Sequence, residues 1–200
     1  EEPERETNPN RKLIGDDSVR AVGFFDTWLR AIHTFAAPSE IVVVDSNSPQ
    51  KPGAEARAAV KWVELPFNAR HSTDHTGQWS GWTRSVLVGG NYALTAEADY
   101  FVYVEQDCLF GGGVIIEHCI AAMTTGAMFG SGKWTPQPLQ QSFFIIEKKK
   151  LAAFLKNLVD LRADDRDLSP EWKFVYATWR PFVIAANLGL LKHPFLAKVA

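Results

Sequence analysis

The feature that most constrains the fold is the run Tyr100-Phe-Val-Tyr-Val104, in which aromatic and β-branched residues follow one another without a break. Such a run is typical of a strand covered on both faces of a sheet. It is followed at once by Glu105 and Asp107, and residues two apart in an extended chain point to the same side. Open α/β sheets bind ligands at the carboxyl ends of their strands. The two carboxylates are therefore candidates to hold one divalent cation against a diphosphate.

Strand and helix patterns alternate along the rest of the chain. A second β-branched run, at residues 40–44, precedes a polar turn and is typical of a parallel strand in a covered sheet. Further strands are predicted at 61–65 and 142–146. Helices are predicted at about 18–36, 80–97, 114–125 and 147–162 and from Pro170 onward, with a short helix or loop at 50–60 and a polar loop at 66–77. This order predicts an α/β fold, a three-layer α/β/α sandwich with a mostly parallel central sheet.

Length and composition indicate one globular domain. The 200 residues are 46% apolar and 22% charged, which is enough to bury a core. We predict a polar N-terminal arm at residues 1–17 and a single domain at 18–200. The formal net charge of −2 argues against a nucleic-acid-binding protein. No apolar run approaches the roughly 18 residues that span a bilayer. Because Cys108 and Cys119 form neither a metal cluster nor a disulfide framework, a reduced cytoplasmic location is expected.

Two further segments resemble a phosphate-binding loop and a zinc-protease motif, but neither has the residues that these motifs require. Gly130-Ser-Gly-Lys133 lacks the earlier glycine of a phosphate-binding loop, and Trp134 stands where that loop needs Ser or Thr. His71 and His75 have the spacing of a helical zinc pair. They lie in a polar loop, however, and lack the glutamate that follows the first histidine in zinc proteases. We interpret these two histidines as polar loop residues.

Three segments, taken in order, carry a resemblance to a known family. They are Ile41-Val-Val-Val-Asp45-Ser-Asn-Ser, then Trp82-Thr-Arg84 with Asn91-Tyr-Ala-Leu-Thr-Ala96, then Asp99-Tyr-Phe-Val-Tyr-Val-Glu-Gln-Asp107. In these segments the chain resembles the GT-A glycosyltransferases, particularly the family 2-like nucleotide-diphospho-sugar transferases. The resemblance extends over about residues 18 to 180, and its middle third is the most specific.

The resemblance implies a glycosyltransferase that moves a sugar from a nucleotide-diphosphate sugar, UDP- or GDP-linked, to an acceptor hydroxyl by inversion. It implies that Asp107 and Glu105 hold Mn²⁺ or Mg²⁺ with a contribution from His193, and that Glu171 is the catalytic base. The nucleotide-sugar site implied by the resemblance comprises Asp45, Ser46, Asn47, Arg84, Glu105, Gln106, Trp134 and Gln141. Asp45 would accept a hydrogen bond from the base or the ribose of the nucleotide. Arg84 would neutralise the charge of a phosphate group or position Asp107.

The chain also departs from the family pattern. The family's first strand is not recognisable before the first helix, so either that strand lies outside these residues or this edge is built differently. Glu105 stands where the family's metal motif has Asp, and Asp165 and Asp167 compete with Glu171 for the role of base. Two other functions therefore remain open: a degenerate, non-catalytic GT-A domain that binds carbohydrate or a protein partner, and a sugar nucleotidyltransferase. A retaining mechanism also remains open.

Overall fold

The computed structural model describes residues 17–21, 23–72, 74–133 and 137–190. A 3-10 turn at Asp17–Arg20 precedes the first α-helix. The helices are α1 (Phe24–Phe35), α2 (Ala54–Ala58), α3 (Gly81–Thr95), α4 (Ile115–Ala122), α5 (Lys148–Asp160), α6 (Pro170–Ala177) and α7 (Arg180–Asn187). The strands are β1 (Val42–Asp45), β2 (Lys61–Glu64), β3 (Tyr100–Val104), β4 (Ala127–Ser131) and β5 (Leu139–Glu147).

The strands form two separate sheets, and the prediction of a sandwich with a mostly parallel central sheet is wrong. Strands β1 and β2 make a two-stranded parallel sheet. The other three strands make an antiparallel sheet in the order β3-β5-β4. The fold is therefore a mixed α/β arrangement.

The antiparallel sheet follows from a connection that the sequence analysis missed. Strand β4 was not predicted, and β5 was expected to begin only at residue 142. In the structure β4 ends at Ser131 and β5 begins at Leu139. A connection this short can only return the chain beside the strand it has left, whereas parallel strands need a crossover of a dozen or more residues. Strand β5 therefore runs antiparallel to β4, and its other edge pairs with β3, also in an antiparallel sense.

Helix α3 shows how β1 and β3 are oriented. At its first turn, a Cβ on Gly81 would lie 2.8 Å from Ser46 Oγ, just beyond the carboxyl end of β1. The neighbouring Trp82 ring lies edge-on to Tyr103, near the carboxyl end of β3. In the last turn, the Tyr92 hydroxyl donates to Glu40 Oε2 at 2.8 Å, just before β1 begins. Helix α3 therefore runs antiparallel to both strands, and the carboxyl ends of β1 and β3 lie at the same edge of the molecule.

Two apolar clusters cover the strands from opposite sides. On one side, Phe25, Trp28, Leu29 and Ile32 of α1 pack on side chains of β1 and β2 and on Val104 of β3. On the other side, α3, α5 and α6 pack around the fully buried Phe144 of β5. A third cluster joins α6 to α7, a helix that was not predicted. The two sheets thus lie in one layer between the same two sets of helices.

Most other predicted elements are confirmed within a few residues. The exception at the N-terminal end is the first helix, which was expected at about 18–36 but begins at Phe24 after the 3-10 turn. The predicted arm at residues 1–17 lies almost entirely outside the described residues. Within the described part of the chain, none of the helices has the length and apolarity that crossing a membrane requires.

Candidate functional site

A cavity of about 1420 Å³ lies between β1 and β3. Its polar end is at the shared carboxyl edge of the two strands. The predicted site residues that line it are Asp45, Ser46, Glu105, Gln106, Asp107 and Gln141. The structure therefore brings together six of the predicted residues from three separate segments of the chain.

The acidic pair lies in a turn and not in an extended segment. Strand β3 ends at Val104, and the Cys108 amide donates to the Glu105 carbonyl at 3.0 Å, which closes a turn over residues 105–108. The assumption that Glu105 and Asp107 share one side of an extended strand is therefore wrong. Glu105 is half-buried, whereas Gln106 and Asp107 are exposed. The exposed Asp107 is free to reach a bound ligand.

Two hydrogen bonds to the backbone of Glu105, one from each side, hold this turn in place. The Glu105 amide donates to the Ser142 carbonyl of β5 at 2.9 Å. The Trp28 indole Nε1 donates to the Glu105 carbonyl at 2.9 Å, which ties the turn to α1. The two carboxylates are thus presented by a backbone that two neighbouring elements position.

Glu105 lies in a field of negative charge. Burial raises the pKa of its carboxyl above the usual range, and the charges of Asp107 and Glu171 raise this pKa further. Hydrogen bonds with the Ser142 and Gln141 side chains act in the opposite direction. Three predicted residues, Glu105, Asp107 and Glu171, are therefore close enough to interact electrostatically. A cation bound among them would relieve this repulsion.

Other titratable groups around the turn respond to the same charges. Burial raises the pKa of the Tyr103 hydroxyl well above its usual range, and the carboxylates of Glu105 and Asp107 add to the effect. Burial also raises the pKa of the Cys108 thiol, and the carboxylates of Glu105 and Asp107 raise it further. Both side chains therefore stay neutral at physiological pH.

Asp45 has a structural role in the turn that follows β1. Its carboxylate Oδ1 accepts the Ser48 hydroxyl at 2.6 Å, and both oxygens accept the Ser48 amide at 3.2 Å. The residue is nearly buried, with 9% of its surface exposed. A carboxylate has about four acceptor positions. Asp45 can therefore close this turn and still accept a hydrogen bond from a ligand at the cavity edge.

The neighbours of Asp45 differ in where they lie. Ser46 lines the cavity, and its hydroxyl accepts the Ala69 amide at 3.1 Å. Asn47 has a left-handed backbone with φ of 51°, and its side-chain oxygen accepts Lys51 Nζ at 3.5 Å. Asn47 is not among the residues that line the cavity. The structure therefore gives Asn47 a place in the turn and does not bring it to the ligand space.

Arg84, the predicted phosphate partner, is directed elsewhere. Its Nε donates to the Trp79 carbonyl at 3.0 Å, and its guanidinium lies 4.9 Å from the Phe67 ring centroid. Arg84 is not among the residues that line the cavity, whereas Arg70 is. Arg70 has a left-handed backbone with φ of 64°, and its carbonyl accepts the Gly81 amide at 2.8 Å. This places Arg70 at the start of α3, beside the carboxyl edge of β1.

The sequence contained a signal for Arg70 that was not used. The polar loop at 66–77 follows β2, and β2 is parallel to β1. A loop that leaves the carboxyl end of a parallel strand lies at the ligand-binding edge. The same loop brings His71 and Ser72 to the cavity wall.

The remaining predicted residues concern the metal and the sugar. Trp134 and His193 lie outside the described residues. Within residues 17–133 and 137–190, apart from the gaps at 22 and 73, no three His, Cys, Asp or Glu side chains come together as a ligand set for a metal ion. Glu171 contributes to the site through its charge, which raises the pKa of Glu105. Mg²⁺ and Mn²⁺ commonly use one or two carboxylates and complete their coordination with water and phosphate oxygens, so Glu105 and Asp107 fit such an ion.

The comparisons with known proteins give no match, whether with family models, curated proteins or solved structures.

Proposed function

We propose that the chain is a metal-dependent glycosyltransferase that moves a sugar from a nucleotide-diphosphate sugar to an acceptor hydroxyl. The observation that carries the proposal is the meeting of Asp45 and the acidic turn of Glu105 and Asp107 at one edge of a single cavity. The nucleoside would contact Asp45, and the diphosphate would lie toward the acidic turn. The motif resemblance supports this assignment of roles.

The acidic turn supports the metal part of the proposal. Asp107, exposed, would ligate Mn²⁺ or Mg²⁺ directly, and Glu105 would ligate it directly or through water. When bound, the ion would act as a Lewis acid that stabilises charge on the departing nucleoside diphosphate. Ion binding requires deprotonated carboxylates, and the raised pKa of Glu105 means that this residue loses its proton less readily than an ordinary glutamate.

Other residues of the chain supply the remaining roles. Arg70, at the cavity wall, is placed to contact a phosphate, a role that was expected of Arg84. Gln141 lies close enough to hydrogen-bond with Glu105 and also lines the cavity, so it can contact a sugar hydroxyl. Glu171, at the start of α6, would accept the proton of the acceptor hydroxyl as general base. This assignment corresponds to an inverting reaction.

A non-catalytic domain that binds carbohydrate or a protein is the second candidate. One observation favours it: Asp45 and Glu105 both have hydrogen-bonding partners within the protein, as structural residues do. The two candidates differ in whether binding of a nucleotide diphosphate depends on a divalent cation and on Asp107.

A thermal-shift panel separates them. The melting temperature is measured with UDP, GDP, CDP and their sugars, each with Mn²⁺ and with EDTA. The enzyme proposal predicts metal-dependent stabilisation by one nucleotide family, because a ligand that binds only the folded state raises its stability. The stabilisation should be lost in Asp107→Asn and kept in Asp99→Asn, which alters an exposed carboxylate of the same cavity at the amino end of β3, opposite the acidic turn. Stabilisation by none of the nucleotides would contradict the proposal.

A further inference from the structure

The apolar part of the cavity is a gap between two strand edges. Within the described residues, β1 pairs with β2 on one edge and β3 pairs with β5 on one edge, and each leaves its other edge unpaired. The cavity is lined by all four residues of β1 and all five of β3. We use the term slot for the part of the cavity between these two edges.

The hydrogen-bonding pattern shows which backbone groups face the slot. In β1, the carbonyls of Ile41 and Asp45 accept from the β2 side. In β3, the Asp99 carbonyl and the Glu105 amide bond to the β5 side. Backbone groups in a strand alternate between its two edges. The amides and carbonyls of the even-numbered residues therefore point away from β2 and β5. Their amides and carbonyls face the slot: Val42, Val44, Tyr100, Val102 and Val104.

Apolar side chains cover the slot above and below. On one side, Phe25, Trp28 and Ile32 of α1 line the cavity. On the other side, α3 lies across both edges, and a Cβ on Gly89 would lie 3.8 Å from both Val44 Cγ2 and the Phe101 ring. The slot is therefore bounded by α1 on one face, by α3 on the other, and by two strand edges without strand partners. Among the groups on these edges, the Val44 carbonyl accepts the Ser85 hydroxyl of α3 at 3.4 Å.

The partial burial of β1 and β3 shows that, within the described residues, no polypeptide strand fills the slot. Val42, Val43, Val44 and every residue of β3 are only partly buried, although they are apolar and lie between two layers of helices. Unpaired backbone groups at the edge of an apolar space are costly. A small molecule could fill the space but could not pair with both rows of amides and carbonyls, whereas an extended polypeptide does so by its own geometry.

The described chain has no strand left to fill the slot, and the other residues do not contain a suitable sequence. Strands buried on both faces are nearly continuous apolar runs. Residues 1–16 contain one adjacent apolar pair, Leu13 and Ile14, and residues 191–200 are interrupted by Lys192, Pro194 and Lys198. We propose that the slot binds one extended apolar strand of about five residues, contributed by polypeptide outside these 200 residues.

The bound strand would add to both free edges and join the two sheets into one mixed sheet. Its side chains would point alternately toward α1 and α3, so both sets have to be apolar. The mode of recognition is strand addition, in which backbone hydrogen bonds supply affinity and side-chain packing supplies selectivity. The proposal concerns the apolar slot and does not depend on the function proposed for the polar edge.

Amide hydrogen exchange tests the proposal on the 200-residue chain. The probe is a synthetic peptide with the core Val-Ile-Val-Ile-Val, flanked by lysines for solubility. The matched control is the same peptide with alternate backbone nitrogens methylated, which keeps the side chains and removes donors. Without peptide, the slot-facing amides of Val42, Val44 and Val102 should exchange much faster than the paired amides of Val43 and Phe101. With the probe they should slow by at least roughly tenfold, and with the control they should not.

A variant of the chain provides a second, independent readout. The Val102 amide faces the slot and has no part in pairing with β5, so Val102→Pro removes a slot-facing donor without removing a hydrogen bond to β5, and proline is tolerated at such edge positions. Val102→Pro should keep the thermal unfolding of the parent chain and lose the protection by the probe. Val102→Thr, which retains the amide, should keep that protection.

Three results would overturn the proposal. One is slot-facing amides that are already as protected as their paired neighbours in the free chain. Another is no protection by the probe at saturating concentration, or equal protection by the methylated control. The third is protection that grows with protein concentration and no peptide, because it would make a second copy of the chain the occupant.

Discussion

A buried ion pair on the far side of α3 supports the start of that helix, and its removal should cost several kcal/mol. Lys173 of α6 and Asp165 are both completely buried, and Lys173 Nζ lies 2.7 Å from Asp165 Oδ1. The other carboxylate oxygen accepts the Ser80 amide at 2.6 Å and the Thr83 hydroxyl at 2.8 Å. The pair therefore anchors the first turn of α3, which lies against the loop that carries Ser46.

Lys173→Met is the informative change because methionine fills a similar volume without charge. It leaves the Asp165 carboxylate buried with two neutral donors and no cation. Breaking one partner of a buried pair costs about 3–5 kcal/mol, against a total stability of about 5–15 kcal/mol for a domain. With a urea m-value of about 2 kcal/mol/M, the unfolding midpoint should fall by roughly 2 M.

The assay is urea unfolding followed by tryptophan fluorescence, with two comparison variants. Lys156→Met removes an exposed partner of Asp160 and should cost at most about 1 kcal/mol. Adding Asp165→Asn to Lys173→Met removes the unpaired charge, so the double variant should be more stable than Lys173→Met alone. A loss below about 1 kcal/mol for Lys173→Met, or a double variant that is no more stable than Lys173→Met, would refute the reasoning.

Three further predictions concern the site and the core. Glu105→Gln should stabilise the fold more at pH 8 than at pH 5. Because the pKa of Glu105 is raised, the native state keeps a proton that the unfolded state releases above about pH 4.3, and the parent chain loses stability as the pH rises from there through the native pKa. Urea unfolding of both chains at the two pH values measures the difference, and an equal effect of the substitution at both would contradict the prediction. Gly90→Ala should be about 1–3 kcal/mol less stable than Gly89→Ala, because a Cβ on Gly90 meets Leu155 Cδ2 at 2.8 Å whereas one on Gly89 has only ordinary contacts; equal stability of the two would contradict the packing. Phe144→Ala should cost about 3–5 kcal/mol in the same assay, because its ring is fully buried among five others; a cost below about 1 kcal/mol would contradict the assigned core.

Local patterns predicted the elements well because each depends on a few neighbouring residues. The helix predicted at 80–97 agrees closely with the bounds of α3, and the β-branched runs predicted β1 and β3. Strand β4 was missed because Ala127-Met-Phe-Gly-Ser131 has neither a continuous apolar run nor strict alternation. Pairing was mispredicted for a related reason: whether β5 joins as a parallel or an antiparallel strand depends on β4, so the error in one element changed the whole sheet.

The candidate site was partly predictable because one rule places ligands at the carboxyl ends of strands. That rule correctly placed Asp45, Glu105 and Asp107 at one edge. It could not show that residues 105–108 turn, or that the Arg84 guanidinium points to Trp79 and Phe67. Side-chain direction on a helix surface depends on the neighbouring loop, and here that loop, at 66–77, instead contributes Arg70 to the cavity.

The central claim is that Asp107 holds a divalent cation against a nucleotide diphosphate. The most direct measurement is calorimetric titration of the chain with UDP and with GDP, in Mn²⁺ and in EDTA, for the parent chain, Asp107→Asn and Asp99→Asn. The account predicts that one nucleotide binds at least roughly tenfold more tightly with Mn²⁺, a difference of about 1.4 kcal/mol. The metal dependence should disappear in Asp107→Asn and persist in Asp99→Asn. Binding of neither nucleotide, or binding that is indifferent to both the metal and Asp107, would contradict the account.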